Sequence, residues 1–221
     1  MRALHAEVYA LEARPAALTK ILGSCDDDGT SRSRYLSFVT DPQRIWTIGH
    51  STHSSPEFLV LLGAHDVQAV ADVRRFPASR RQPQFNEGVF SRWLAQAQID
   101  YRWFEALGGR RTPSPDSMNT AWRNASFRGY ADYMETEEFA AAFSQLLKFA
   151  ARQRTAVMCA ESVWWSCHRA LISDALAFRG VEVIHILDQA QTKVHPYTSA
   201  ASIIDGRLSY EAPDPQRPLP L

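Results

Sequence analysis

Two thiols, a carboxylate, an imidazole and a guanidinium fall within eleven residues of this chain. They are Cys159 and Glu161 in MCAE, then Cys167, His168 and Arg169 in CHR. Such groups suit nucleophilic or proton-transfer chemistry. A thiolate is the reactive form of cysteine, and a helix N-terminus or a nearby cation makes it accessible near neutral pH. Histidine can take the thiol proton in the same range. Arginine holds an anionic substrate through charge-assisted hydrogen bonds. Cys167 is the expected nucleophile, in the first turn of a predicted helix capped by Ser166. Cys159 follows the apolar run TAVM, where a cysteine often packs as a small hydrophobe, so it supports or shapes the pocket. Glu161 handles protons or pairs with Arg169 or Arg74. His168 transfers a proton or caps the helix.

Two further segments carry chemistry where an apolar run ends. Gly49-His50 closes the strand residues Ile45–Ile48, and Asp72-Val73-Arg74-Arg75 closes Val67–Val73. His50 could act as a general base, bind an anion or cap a helix. Asp72 could orient His50 or accept from Arg74, and Arg74 is expected in the crevice. Gly108-Gly109-Arg110-Arg111 could form a backbone concavity with Arg110 reaching an anion, or a plain turn. Tyr130, in FRGYADYM, closes over a substrate or packs against the sheet. Cys159, Cys167, His168 and His50 are suitable zinc ligands, but their spacing matches no zinc motif. No metal and no cofactor are expected, and two reduced thiols are preferred to a disulfide.

The elements that would position these groups follow from periodicity and turn residues. Predicted strands are Ile45–Ile48, Val67–Val73, Tyr101–Phe104, Thr155–Met158 and Val181–Ile186. Predicted helices follow Ser54 or Ser55, with Pro56 and Glu57 early in the first turn, and cover 88–98, Glu135–Arg152 and 167–179, the last ended by Gly180. Residues 116–134 show no clear pattern. A helix over 1–22, a strand at Tyr35–Val39 and a hairpin across Asp205-Gly206 complete the reading. The fold class is α/β, a three-layer sandwich with a mainly parallel central sheet and an Arg/aromatic-rich insertion. Sites in such sheets lie beyond the carboxyl ends of the strands, which gathers Gly49-His50, Asp72-Arg74 and Cys159-Glu161 into one crevice. Residues 1–44 form an N-terminal extension or cap, 45–188 the α/β domain, and 189–221 a C-terminal extension.

Composition narrows the partners. Net charge is zero, from 24 basic and 24 acidic residues, which argues against global capture by nucleic acid or membrane. Residues 74–128 nevertheless hold ten Arg against four acidic residues, interleaved with aromatics such as Phe85, Trp93, Trp122 and Phe127. Such a surface could bind phosphates and stack bases, or the rings could fill the core while the charges point outward. Three cysteines do not make a secreted disulfide framework. No apolar run is long enough to span a bilayer, and the N-terminus lacks a signal-peptide core, so a cytoplasmic, reducing setting and no membrane partner are expected. Nothing specifies an oligomeric state.

The pieces TIGHSTHSSPEFLVLL, VADVRRFPASRRQPQF, LGGRR, FRGYADYM and MCAESVWWSCHRALISDALAFRGVEVIHI together resemble the family called domain of unknown function 488 (DUF488), over roughly residues 45–187. The resemblance implies an α/β domain whose motifs meet near one sheet edge. It carries site roles to His50, Asp72, Arg74, Arg110, Tyr130, Cys159, Glu161, Cys167, His168 and Arg169, and no reaction. A more distant similarity to rhodanese-like domains lies in topological rhythm. The cysteine loop lacks their compact glycine-containing cradle, so sulfur transfer is not expected.

Three functions follow as expectations. The first is an enzyme acting on a phosphorylated or nucleotide-like anion, held by Arg74, Arg110 and Arg169, with Glu161 and His50 handling protons and Cys167 attacking. The second is a nucleic-acid-associated binding module built on the Arg/aromatic segment. The third is a protein-interaction module using Trp164, Trp165 and the tail.

Overall fold

The computed structural model describes residues 43–212. The predicted helix over 1–22, the strand at 35–39, Cys25 and the proline-rich end lie outside these residues. Six strands form one sheet: β1 (Arg44–Gly49), β2 (Ala69–Asp72), β3 (Asp100–Trp103), β4 (Thr155–Cys159), β5 (Glu182–Ile186) and β6 (Thr192–Val194). Their spatial order is β3-β2-β4-β1-β5-β6. The first five pair parallel, and β6 runs antiparallel along β5.

Helices cover both faces because the strand residues alternate in direction. On one face, Trp46, Ile48, Val70, Ala156 and Met158 pack with Phe58, Leu61 and Leu62 of α1 (Ser55–Ala64) and Phe90 and Leu94 of α2 (Glu87–Gln96). On the other, Ile45, Ala71, Val157 and Cys159 pack with α3 (Ala125–Met134), α4 (Glu137–Ala150) and α5 (Arg169–Phe178). The three-layer α/β sandwich is therefore as expected, with every residue of β2 and β4 buried.

Local chemistry sets the element ends. Ser54 caps α1 through a capping box: Glu57 N–H donates to Ser54 Oγ, and Ser54 N–H donates to the Glu57 carboxylate at 2.7 Å. Gly180 stops α5 at a φ of 77°, a left-handed conformation that glycine enters without strain. Asp205 and Gly206, at φ of 50° and 71°, turn the hairpin of β7 (Ser202–Ile204) and β8 (Arg207–Ser209). Two elements differ from expectation. Helix α3 forms in the stretch without a pattern; its Gly129 lies flat on residues 111–113, where a Cβ would meet the Arg111 carbonyl oxygen at 2.5 Å, and so interrupts the apolar stripe. Strand β6 was not predicted, since all three of its residues are exposed.

The aromatics of the Arg-rich insertion mostly turn inward. Phe85, Phe90, Trp93 and Tyr101 join Phe58 in a network of edge-to-face rings, which is favoured geometry for aromatic packing. Meanwhile Arg80, Arg81, Arg92 and Arg123 are exposed.

A buried polar chain fastens β1, β5 and α5 to the segment after β6. The Asp174 carboxylate accepts from His195 Nε2 at 2.9 Å, from Thr198 Oγ1 at 2.6 Å and from the Tyr210 hydroxyl at 3.0 Å. With Nε2 of His195 donating, its Nδ1 accepts from His185 Nε2 at 2.9 Å, and His185 Nδ1 accepts from the Thr47 hydroxyl at 2.6 Å. Trp164 stacks on His185 with ring centroids 4.2 Å apart. Burial first, then the proximity of His195, Arg169 and Lys193, lower the His185 pKa from 6.5 to about 2. The unfolded chain therefore binds one more proton than the folded chain between those values. Stability falls as pH drops below 6.5, by about 1.4 kcal/mol per pH unit from this group once the unfolded histidine is fully protonated. Urea unfolding at several pH values should show that His185→Gln flattens this acid slope by about one proton. An unchanged slope would exclude His185 as its source.

Candidate functional site

The carboxyl ends of β2, β4 and β1 are neighbours in the sheet, and each delivers part of one site. At the end of β1, Gly49 has no side chain to hold off the loop after β4. A Cβ there would lie 1.9 Å from the Glu161 carbonyl oxygen. The approach is sealed by backbone bonds, from His50 N–H to the Cys159 carbonyl at 3.0 Å and from Ser51 N–H to the Ala160 carbonyl at 2.9 Å.

At the end of β2, Asp72 is wholly buried and Arg74 nearly so. The Asp72 carboxylate accepts from Arg74 N–H at 3.0 Å, Nε at 2.9 Å and Nη2 at 2.5 Å, and from the Tyr101 hydroxyl at 2.8 Å. His50 completes the clamp. Its Nδ1 donates to the Ser51 carbonyl at 3.0 Å, so Nε2 is left to accept from Arg74 Nη1 at 3.4 Å. The imidazole also stacks on Phe85 at 4.2 Å. Burial, and after it the Arg74 charge, lower the His50 pKa to about 4, so the ring is neutral at physiological pH. Asp72 thus accepts from Arg74, and both Asp72 and His50 sit behind that guanidinium.

At the end of β4, Cys159 and Cys167 are free, buried thiols that both face one nitrogen of an imidazole. His168 Nδ1 lies 3.9 Å from Cys159 Sγ and 3.5 Å from Cys167 Sγ. Its Nε2 lies 2.9 Å from the Val73 carbonyl oxygen. A carbonyl can only accept, so Nε2 carries the proton and the bare Nδ1 faces both sulfurs. Helix α5 begins at Arg169, two residues later than expected, and Ser166 closes a 3-10 turn (Trp164–Ser166) instead of capping it. Cys167 therefore precedes the helix, and its sulfur accepts the Arg169 N–H at 3.4 Å.

Arg169 is 1 % exposed. Its Nη2 donates to the carbonyls of Glu161 at 2.9 Å and Ser162 at 3.2 Å, and its Nε has no partner. Among the described residues no carboxylate pairs with it, Glu161 included. A buried cation without a counter-ion is costly, and a thiolate beside it offsets that cost. The two thiols then divide the work. The neighbouring Cys167 thiol pushes the Cys159 thiol down, helped against burial by His168 and Arg169, while Cys159 together with burial pushes Cys167 up.

These groups open on a cavity of about 460 Å³. Cys159, Cys167, His168 and Glu161 line one side of it, and Arg74, Arg75, Phe76 and Arg110 another. Arg110 holds a left-handed φ of 60° with its guanidinium 5.9 Å from the Phe76 ring. Six of the ten expected site residues thus meet at one cavity. The other four stand behind it: His50 and Asp72 against Arg74, Arg169 under the loop, and Tyr130 against His168. Tyr130 is fully buried, donates its hydroxyl to the Leu107 carbonyl at 2.8 Å, and has its ring 5.0 Å from that of His168.

Arg75, Asn124 and Ser126 also line the cavity and were not singled out for it, whereas Gly109, read as part of a backbone concavity, lines it too. Gly109 carried a signal in the pair Gly108-Gly109: a Cβ at 109 would lie 2.7 Å from His168 Nδ1, so the glycine lets that loop close on the imidazole. Asn124 carried the signal of a helix cap, since its side chain accepts from Ser126 N–H at 2.8 Å.

The family model described as domain of unknown function DUF488 matches residues 54–176. That span holds all the cavity-lining side chains named above. No curated protein and no solved structure matches the chain significantly.

Proposed function

We propose a thiol-based enzymatic function for this chain, which belongs to the DUF488 family, with a small phosphorylated or nucleotide-like anion as substrate. One observation carries the reading: two thiols and an imidazole whose ligand atoms lie within 4.8 Å of one another at an arginine-lined cavity. A cavity near 460 Å³ suits a small molecule. The inward packing of Phe85, Trp93 and Tyr101 favours such a ligand over a nucleic-acid strand that needs exposed stacking rings.

Arg75 and Arg110 bind the anion, and Arg74 presents a guanidinium oriented by Asp72 and His50. Cys159 supplies the thiolate. Its proton passes to His168 Nδ1, its sulfur bonds to the electrophilic phosphorus or carbon as the bond to the departing group breaks, that group takes the proton from His168, and water then cleaves the sulfur bond and restores the thiol. Cys167 steadies the thiolate through its S–H, and Arg169 through its charge. Glu161, exposed at the rim, exchanges protons with solvent or substrate. Tyr130 backs the imidazole. The reaction belongs to residues 45–188, with thiols kept reduced as in a cytoplasmic setting.

Iodoacetamide labelling of a Cys25→Ser background tests this reading. One of the two thiols should label at neutral pH faster than an ordinary cysteine, and pyrophosphate or AMP should slow the labelling. Arg110→Ala should weaken that protection by about tenfold or more, the worth of one charge-assisted hydrogen bond. Two inert thiols, or protection indifferent to Arg110, would overturn it.

A further inference from the structure

We infer that Cys159, Cys167 and His168 form a site for a soft divalent cation, Zn²⁺ foremost. Zinc bound to sulfur at about 2.3 Å and to imidazole nitrogen at about 2.0–2.1 Å in a tetrahedron needs ligand atoms roughly 3.5–3.8 Å apart. His168 Nδ1 stands 3.5 Å from one sulfur and 3.9 Å from the other, and all three atoms lie within 4.8 Å of one another. One ion fits among them once the two sulfurs, at most 4.8 Å apart, close to tetrahedral spacing, a movement of at most about 1 Å. The thiols are not joined in a disulfide.

The imidazole is already set for a metal. Its Nε2–H is held by the Val73 carbonyl at 2.9 Å, the outer-shell bond that fixes the tautomer of a metal-bound histidine and raises its basicity. Two sulfurs and one nitrogen make a soft donor set, which selects zinc over magnesium or calcium. Three protein ligands leave a fourth position, and here all three residues line the same cavity. An open position of that kind takes water or an anion.

Binding displaces protons. From two protonated thiols, Zn²⁺ releases two protons to solvent, and one if Cys159 is already a thiolate. His168 releases none, because Nδ1 is bare. The site itself rests on ligand geometry alone. Its consequence rests on the thiol reading above: with both sulfurs coordinated, the nucleophile is masked, so zinc and an alkylating agent compete for the same atoms.

Cobalt(II) is a visible probe for such a site. Titrated into the full, tag-free chain in the Cys25→Ser background, Co²⁺ should bind once per chain, giving sulfur-to-cobalt charge-transfer absorption and tetrahedral bands that Zn²⁺ abolishes. Cys159→Ser, Cys167→Ser and His168→Gln should each weaken binding by more than the about 10–100-fold typical of losing an outer-shell partner. Gly109→Ala, which keeps all three ligands but crowds Nδ1, should weaken it as well. Absence of the charge-transfer band, or a band unchanged in both cysteine variants, overturns the site. Cobalt binding with inert thiols in the metal-free protein upholds the site and defeats the thiol reading. Reactive thiols without cobalt binding do the reverse.

Discussion

Asp72→Asn should destabilise the folded chain by about 3–5 kcal/mol, the cost of stripping a buried cation of its partner. Asp72 is 0 % exposed and Arg74 5 %, so water cannot take over the lost interaction. The carboxylate receives four bonds from Arg74 and one from Tyr101. An asparagine offers one oxygen where two now serve, and no charge. His50 gives no relief, since its Nε2 accepts only one long bond at 3.4 Å from Arg74 Nη1. Urea unfolding measures the loss, and a second variant separates its causes. Replacing both partners, in Asp72→Asn with Arg74→Met, removes the orphaned charge along with the bond, and should recover much of the stability. A single-variant cost below about 1 kcal/mol would mean that Arg74 turns out to solvent, as exposed pairs do. The same pair should matter for the site, because a released Arg74 no longer points where Asp72 and His50 hold it.

The parallel sheet was legible because burial on both faces leaves short apolar runs, as in Ile45–Ile48 and Thr155–Met158. The strand-end rule then brought Gly49, Asp72 and Cys159 together without any knowledge of pairing. The pairings themselves were not legible. Arg169 looks like a partner for Glu161 on spacing, yet it binds the Glu161 and Ser162 carbonyls, because the loop pressed against Gly49 turns those oxygens inward. His185, His195 and Asp174 show no common pattern along the chain. They meet only when β5, the segment after β6 and α5 are packed, and then they bury a continuous proton-donor chain.

Helix boundaries failed for a related reason. The start of α5 was placed at Cys167 because a serine precedes it, and serine is a preferred cap. The 3-10 turn through Trp164–Ser166 intervenes, driven by Trp164 burying its ring against His185. That tertiary contact overrides the local cap signal and leaves the Cys167 sulfur at the mouth of the helix. The Arg/aromatic segment was ambiguous in the same way: its composition was plain, but which rings face inward depends on α2 and β3 packing together, as Phe90 and Tyr101 do.

Gly109→Ala should lower the labelling rate of the reactive thiol by about 10²-fold while leaving the fold intact. The methyl group would lie 2.7 Å from His168 Nδ1 and 3.0 Å from its Cγ, closer than non-bonded atoms tolerate. Gly109 is not among the residues with a left-handed φ, so its backbone accepts alanine, and the strain falls on the imidazole. The ring can yield only by giving up the Val73 carbonyl or the sulfurs, because Tyr130 lies against it at 5.0 Å. Either movement takes Nδ1 from the thiols, and displacements near 1 Å cost about that factor where a proton must pass between fixed partners. Gly63→Ala is the control, since a Cβ there meets nothing within 4 Å. Equal labelling rates in Gly109→Ala and the parent chain, with equal unfolding midpoints, would show that His168 does not assist the thiol. A slowed rate with an unchanged midpoint places the reactive proton on the path from sulfur to imidazole, where the Val73 carbonyl has fixed the tautomer that can receive it.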